Sequence, residues 1–476
     1  MLGPHRLPCE TLPPRSPAQS DESETRWVLP VTILGSSLSF IDGSVVNVAL
    51  PAMQRGLSTD LASIQWVVNG YLLSLASLIL LGGSLGDRFG RRELFLVGLV
   101  GFAAASLACG FAPSARWLVA ARIVQGAAAA LLMPASLAII SVAYSGEQRG
   151  RAIGTWAAAG ALTTALGPIL GGWLVDTIGW RSIFFVNLPI ALVAGLLALK
   201  LPREKNIGNA GPLDVMGTLF AVLSLALLSY GLVAVGEGQL GLGAIAFIAA
   251  VPSVGLFIRS EKNTPAPVMP LTLFRDSTFA GANALTVLLY AALSGALFLL
   301  PYLLIDVHGY SATAAGAAFL PFSALMGIGS RWSGGLVERI GPRLPLVLGP
   351  LIAAAGYVLL GFSGGHPSYW IGFLPGLVVV AIGMTLCVAP LTTTVFDSAP
   401  QEKSGIASGI NNAAARAGGL LAVAALGLTF GGAAALAVEA SVVARAYSSV
   451  MFCAGVLAGL SALTAAATIR RRSSIE

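Results

Sequence analysis

From Leu344 to Phe396 the chain carries no Asp, Glu, Lys or Arg. Similar charge-free runs extend from Leu94 to Ala115, Ala152 to Val175, Val215 to Gly236, Ser277 to Ile305 and Ala446 to Ile469. A bilayer-spanning helix needs about 20 apolar residues, so each run holds one span and the longest holds two. Charged residues make up 10% of the chain and hydrophobic residues 56%, whereas a soluble domain carries about 25% charge. That supply cannot cover a soluble surface, and the reading is an all-α polytopic membrane protein.

Breaking the apolar runs at charged or Gly/Pro-rich punctuation predicts helices near 27–53, 62–85, 93–112, 116–143, 150–175, 181–200, 213–232, 241–259, 279–305, 312–336, 344–363, 368–392, 404–431 and 446–468, fourteen in all. Of the 27 Lys and Arg, 20 fall in the tails and loops of one side. Four (Arg55, Arg116, Arg181, Arg445) fall on the other, and Arg122, Arg331 and Arg416 lie within spans. Basic loops stay cytoplasmic, so both termini are expected there, in a multi-pass protein of the inner membrane. The net charge of +6 is gathered in short runs between apolar segments, which fits anionic lipid headgroups rather than nucleic acid. The four cysteines, Cys9, Cys109, Cys387 and Cys453, are far apart; they read as packing residues, with no disulfide framework, metal or cofactor implied.

The segment GSLGDRFGRR at 83–92 recurs as GGLVERIGPR at 334–343, an offset of 251 residues that pairs Gly83 with Gly334, Asp87 with Glu338, Arg88 with Arg339, Gly90 with Gly341 and Arg92 with Arg343. Each copy follows the second helix of a six-helix block. Repeated halves around a site near the bilayer midplane are a transporter architecture. The expected domains are a disordered cytoplasmic tail at 1–26, rich in Pro, Ser and charge, and a six-helix bundle at 27–200. A linker with two additional spans follows at 201–278, then a second six-helix bundle at 279–469 and a tail at 470–476.

Asp42 lies mid-span, where an ionised carboxylate costs about 2.5 to 3.5 kcal/mol on insertion scales. Two readings compete: a cavity-facing group that exchanges a proton for a substrate, or a helix-packing group. Arg122, with Gln125 one turn on, is permanently charged within an apolar run. Gly160, Thr164, Gly167 and Gly171, with Pro168 and Gly172 beside them, place small residues along one helical stripe, which lets backbones approach closely. Asp87, Arg88, Arg91 and Arg92, with Glu338 and Arg339 in the second copy, form charged turns. These set topology or act as a conformational latch, the carboxylate sitting on a helix N-terminus of the opposite half. Tyr71, Trp66, Asn411, Asn412 and Arg416 either line a pathway or pack between helices.

At these residues the sequence resembles the major facilitator superfamily, in its fourteen-span drug:proton antiporter branch. GGSLGDRFGRRE resembles the motif between the second and third helices, FIDGSVVNVALPAM at 40–53 the first-helix motif and ARIVQGAAAALLMPAS at 121–136 the fourth-helix motif. GALTTALGPILGGWL at 160–174 resembles the antiporter motif of the fifth helix. GWRSIFFVNLPI at 179–190, GYSATAAGAAFLP at 309–321 and SGIASGINNAAARAGG at 404–419 match as well. The resemblance spans almost everything from Trp27 to Ile469. It departs at Asp306, where the branch more often has Gln, and in the lack of a deep acid in the second half.

The resemblance implies two six-helix bundles plus two extra central spans, a central cavity lined by the first and fourth helices, and Arg122 near Asp42. It also implies a glycine-lined fifth helix that seals the halves together. The function implied is export of small lipophilic compounds coupled to proton entry, with a small-molecule substrate, protons and the lipid bilayer as partners and a monomer as the working unit. Uptake of a sugar or organic acid by symport is the alternative. A membrane enzyme or receptor is disfavoured, because neither a G-x-x-x-x-G-K-[ST] loop nor an H-E-x-x-H helix is present. A single deep acid further predicts poor handling of dications.

Overall fold

The computed structural model describes residues 26–202, 213–334, 336–366, 368–400, 403–430 and 440–469. The tails expected at 1–26 and 470–476, apart from Arg26, lie outside these residues, as does 203–212 of the linker. The helices of the first half are α1 (Val28–Leu57), α2 (Leu61–Phe89), α3 (Arg91–Gly110), α4 (Ala115–Ala143), α5 (Gly146–Thr177) and α6, in two pieces (Ser182–Phe185 and Asn187–Ala198). Two further helices follow, α7 (Val215–Gly236) and α8 (Leu240–Asn263). The second half contains α9 (Ser277–Tyr302), which ends in a π turn at Leu303–Val307. It continues with α10, in two pieces (Ala312–Ala317 and Leu320–Gly334), α11 (Arg343–Ser363), α12 (Leu374–Asp397), α13 (Ser404–Ala425) and α14 (Ala440–Thr468). Thirteen stretches among the described residues are long and apolar enough to cross a membrane, and Ser182–Ala198 is a shorter apolar helix that completes the expected series of fourteen.

Helix starts follow local chemistry. The Asp60 side chain accepts from the Ser63 amide at 2.8 Å, Asp214 from Gly217 at 2.8 Å, and Asp276 from Thr278 at 2.8 Å and Phe279 at 3.0 Å. Each cap satisfies an amide that has no partner within its own helix. Between the second and third helices of each half the chain turns through a left-handed glycine, Gly90 (φ +93°) and Gly341 (φ +75°). A side chain would strain that backbone, so the sequence repeat is a repeat of turn geometry.

The arginines two residues beyond these glycines also match. Arg92 donates to the carbonyls of Ala198 at 3.1 Å and Leu199 at 2.9 Å, and Arg343 donates to Ala466. In each half an arginine on the third helix therefore satisfies carbonyls at the end of the sixth, where intrahelical partners run out.

Within the first half α1 packs on α5, and α4 on α2 and α3. Within the second, α9 packs on α13 and α14, and α12 on α10 and α11. The halves meet along two crossed seams, α2 with α13 and α5 with α10. By repeat position the second helix of each half thus faces the fifth of the other. The extra pair, α7 and α8, pack on each other, and α7 covers the seam of α2 with α13.

Candidate functional site

Inside the first half three polar side chains are removed from solvent: Asp42 is 0% exposed, Arg122 1% and Gln125 0%. Arg122 and Gln125 are three residues apart on α4, on the side facing α1. Arg122 Nη1 donates to Asp42 Oδ2 at 2.5 Å and to Gln125 Oε1 at 2.6 Å, and its Nε donates to the Val67 carbonyl of α2 at 3.2 Å. Gln125 Nε2 donates to Asp42 Oδ1 at 3.0 Å and to Ser106 Oγ of α3 at 2.9 Å. Asn187 Nδ2 of α6 reaches the same Ser106 at 3.3 Å. The Arg122 guanidinium lies 4.2 Å from the Tyr71 ring centroid, and the Tyr71 hydroxyl bonds Ser39 at 2.8 Å.

Both carboxylate oxygens of Asp42 are thus occupied, and the network draws on α1, α2, α3, α4 and α6. Attraction at this distance in a low-dielectric interior, together with the hydrogen bonds from Gln125 and to Val67, works against the desolvation of both charges. A proton delivered to Asp42 would discharge the pair and leave Arg122 with neutral partners, so one protonation changes what holds α1 to α4. Arg122 lies beside Asp42, as the resemblance implied, with Gln125 bonded to both. Tyr71, for which the sequence left pathway lining and helix packing both open, is packed against Arg122. Ser39, Ser106, Asn187 and Cys109, whose Sγ donates to Gln125 Oε1 at 3.7 Å, were not anticipated, because a small polar residue in a span carries no signal of its partner.

Other candidates are placed elsewhere. Asn411 donates from α13 to Asn283 Oδ1 at 3.3 Å and Thr286 Oγ1 at 2.7 Å, both on α9, within one half. Asn412 is exposed and bonds the Ser408 carbonyl of its own helix at 3.1 Å. Arg416 is half-buried and Trp66 partly buried. Of the expected latch, Arg88 is exposed and its guanidinium lies over the ring of its neighbour Phe89, and a methyl at Gly83 would reach Pro134 of α4 in ordinary van der Waals contact. Arg91 heads α3, and Arg92 is spent within its own half as described above. The side chains of Asp87, Glu338 and Arg339 lie outside the described residues.

The glycine stripe divides differently from the expectation that it seals the halves. A methyl group at Gly160, Gly167 or Gly171 would collide with Phe40, Ser44 or Val45, all on α1 of the same half. Contact with the other half is made one residue on and around Pro168. A methyl at Gly172 would collide with the Ala312 carbonyl of α10, and one at Gly316 would collide with the Pro168 carbonyl. The correction follows from helix geometry: residues 171 and 172 are about 100° apart around α5, so adjacent glycines serve different neighbours.

The seam of α5 with α10 is closed on the face away from the Arg88–Arg92 turn. Asp176, at the end of α5, accepts from the amides of Ala312 at 3.1 Å and Thr313 at 2.8 Å and from the Thr313 hydroxyl at 2.6 Å. On the same face Arg55 at the end of α1 pairs with Asp306 at the end of α9 at 2.5 Å. These two residues are 251 positions apart, the offset of the internal repeat. Equivalent positions of two halves related by a pseudo-twofold meet only on its axis, so this pair marks the axis. In the sequence Asp306 stands out only as a departure from the branch it resembles, and Asp176 carries no signal of its partners.

The sequence model of the Major Facilitator Superfamily matches residues 32–423. The chain is 38% identical over 405 residues to the multidrug resistance protein Stp of Mycobacterium tuberculosis, covering 84% of this chain and 74% of the relative. It is 36% identical over 407 residues to the tetracenomycin C resistance and export protein of Streptomyces glaucescens (83% and 74%). It is also 34% identical over 417 residues to the methylenomycin A resistance protein of Bacillus subtilis (86% and 88%). Among solved structures, a bacterial homologue of the human lysosomal transporter Spinster in an inward-facing, unoccupied conformation superposes with a TM-score of 0.68 at 19% identity, covering 96% of this chain and 100% of the other. A D-xylose-proton symporter gives 0.68 at 14% identity, covering 94% and 98%. At these identities the structures share the fold.

Proposed function

The chain belongs to the Major Facilitator Superfamily, and we propose that it exports small lipophilic compounds by alternating access in exchange for protons. The observation that carries this reading is the enclosed set of Asp42, Arg122 and Gln125, a buried ion pair with an amide joining helices of one half. The resistance and export functions named for relatives at 34 to 38% identity support the direction of transport.

In the proposed cycle the protein takes substrate from the side of the Arg88–Arg92 turn while the Asp176 and Arg55–Asp306 contacts hold the opposite face shut. After the turn to the outward-open state and release of the substrate, a proton entering from outside neutralises Asp42 and frees Arg122 from its counter-charge. The changed hold of α1 on α4 is passed to α5, which packs on α1, for the return, and loss of that proton to the cytoplasm restores the pair. The energetics suffice: about 2.3 kcal/mol is available per charge per 100 mV, and a tenfold solute gradient costs about 1.4 kcal/mol. Both termini are proposed to be cytoplasmic, on the 20-to-4 division of basic residues outside the spans. Cysteines placed after Arg92 and after Lys205 are expected to label from the cytoplasm only; labelling of either from outside would reverse the orientation.

The decisive assay is efflux into inverted vesicles of a panel of lipophilic dyes, with the pH gradient intact or collapsed. Gradient-dependent accumulation is expected, and equal accumulation without the gradient would exclude proton coupling. For the axial pair, Arg55→Gln or Asp306→Asn is expected to shift the balance of conformations modestly. Arg55 is 61% exposed, and exposed pairs contribute about 0.2 to 1 kcal/mol. Exchanging the two residues should restore the balance, as read by cysteine labelling at the outer end of α1.

A further inference from the structure

Among the described residues, Asp42, Arg122 and Arg416 are the charged side chains set about two turns or more inside a membrane helix. The first two neutralise each other. Arg416 has no such partner: no hydrogen bond or ion pair joins it to another described residue, and it is half-buried. Its place on α13 is set by neighbours on the same face, three and seven residues back. A methyl at Gly409 would touch Leu80 of α2 at 2.8 Å, and Ala413 packs on the core of the first half. Arg416 also lies within electrostatic range of Tyr71 on α2 and Tyr290 on α9. It therefore stands where the halves meet. One turn before it Asn412 is exposed and bonded only within its own helix, while Asn411 is turned away into α9.

Where the halves meet there are thus a guanidinium that cannot lose its proton, a spare amide and the partly buried Tyr290. The deep acid that could greet a cation is enclosed by Arg122 and Gln125. We propose that Arg416, assisted by Asn412, anchors the substrate, and that the preferred substrates are aromatic compounds bearing a carboxylate or a comparably acidic group. The guanidinium fork matches a carboxylate in a bidentate manner, and Tyr290 of α9, partly buried and within electrostatic range, is the aromatic ring beside it. An amine would meet an unneutralised cation. The inference deepens the exporter reading and rests on it for the word substrate, but its test requires only binding.

The test is equilibrium binding to the purified full-length protein in nanodiscs of uncharged phosphatidylcholine, using anthracene-2-carboxylate, its carboxamide and its aminomethyl analogue. The carboxylate is expected to bind about tenfold or more tightly than the amine, the difference expected of one charge-assisted contact. Arg416→Gln should bring it level with the carboxamide, and Arg416→Lys should keep part of the preference. Equal or tighter binding of the amine, no binding of the carboxylate, or a preference that survives Arg416→Gln would overturn the assignment. The wild-type series decides even if a variant fails to assemble. Binding through Arg416 without gradient-driven movement in vesicles would instead count against the exporter reading alone.

Discussion

Replacing Asp42 by Asn is expected to abolish proton-coupled transport and to lower the stability of the first half. Asparagine has a single acceptor oxygen, so it can accept from Arg122 or from Gln125 but not from both, and it cannot neutralise Arg122, which is 1% exposed. Removing one partner of a buried ion pair costs about 3 to 5 kcal/mol, because the other charge stays buried without compensation. Asp42→Asn with Arg122→Gln removes both charges and should recover most of that loss, since a neutral pair of similar volume is not penalised. Transport should not recover with it. The check is the thermal unfolding midpoint of both variants together with gradient-driven efflux. Coupled efflux by the double variant at the wild-type rate would show that the pair is a packing device only.

Gly172→Leu is expected to be as damaging to transport while leaving the protein folded. Its side chain would meet the Ala312 carbonyl of α10, a backbone atom that cannot turn aside, so the contact of α5 with α10 could not close. The two halves need not touch there in a conformation open on that face, and each half would keep its own core. Labelling of a cysteine at Thr313 should then rise sharply. Gly171→Leu is the control, because it collides with Val45 of α1 in the same half and blocks assembly of that half in every conformation. Overpacking a tight interior contact costs about 1 to 3 kcal/mol or more, so this variant should show lower yield and lower thermal stability. Similar behaviour of the two variants would remove the distinction between the faces of α5.

The sequence by itself determined that this chain is helical and crosses a membrane many times, since the charge-free runs leave no other way to bury their surface. Repetition of the 83–92 segment at 334–343 made the two-half plan legible, and Gly90 and Gly341 show why: a left-handed backbone admits few residues. Asp42 and Arg122 could be picked out because a deep charge needs a reason to be there. What only the tertiary structure decided is which polar group each of them meets. Ser106 and Asn187 are ordinary span residues until α3 and α6 are brought beside α4. Arg55 and Asp306 look like unrelated loop charges until the pseudo-twofold axis brings them together. Gly171 and Gly172 read as one stripe, but about 100° of rotation around α5 sends one to α1 and the other to α10. Burial leaves a one-dimensional trace because hydrophobicity is summed along the chain. Partnership leaves none, because it depends on how helices far apart in the chain are rotated against one another.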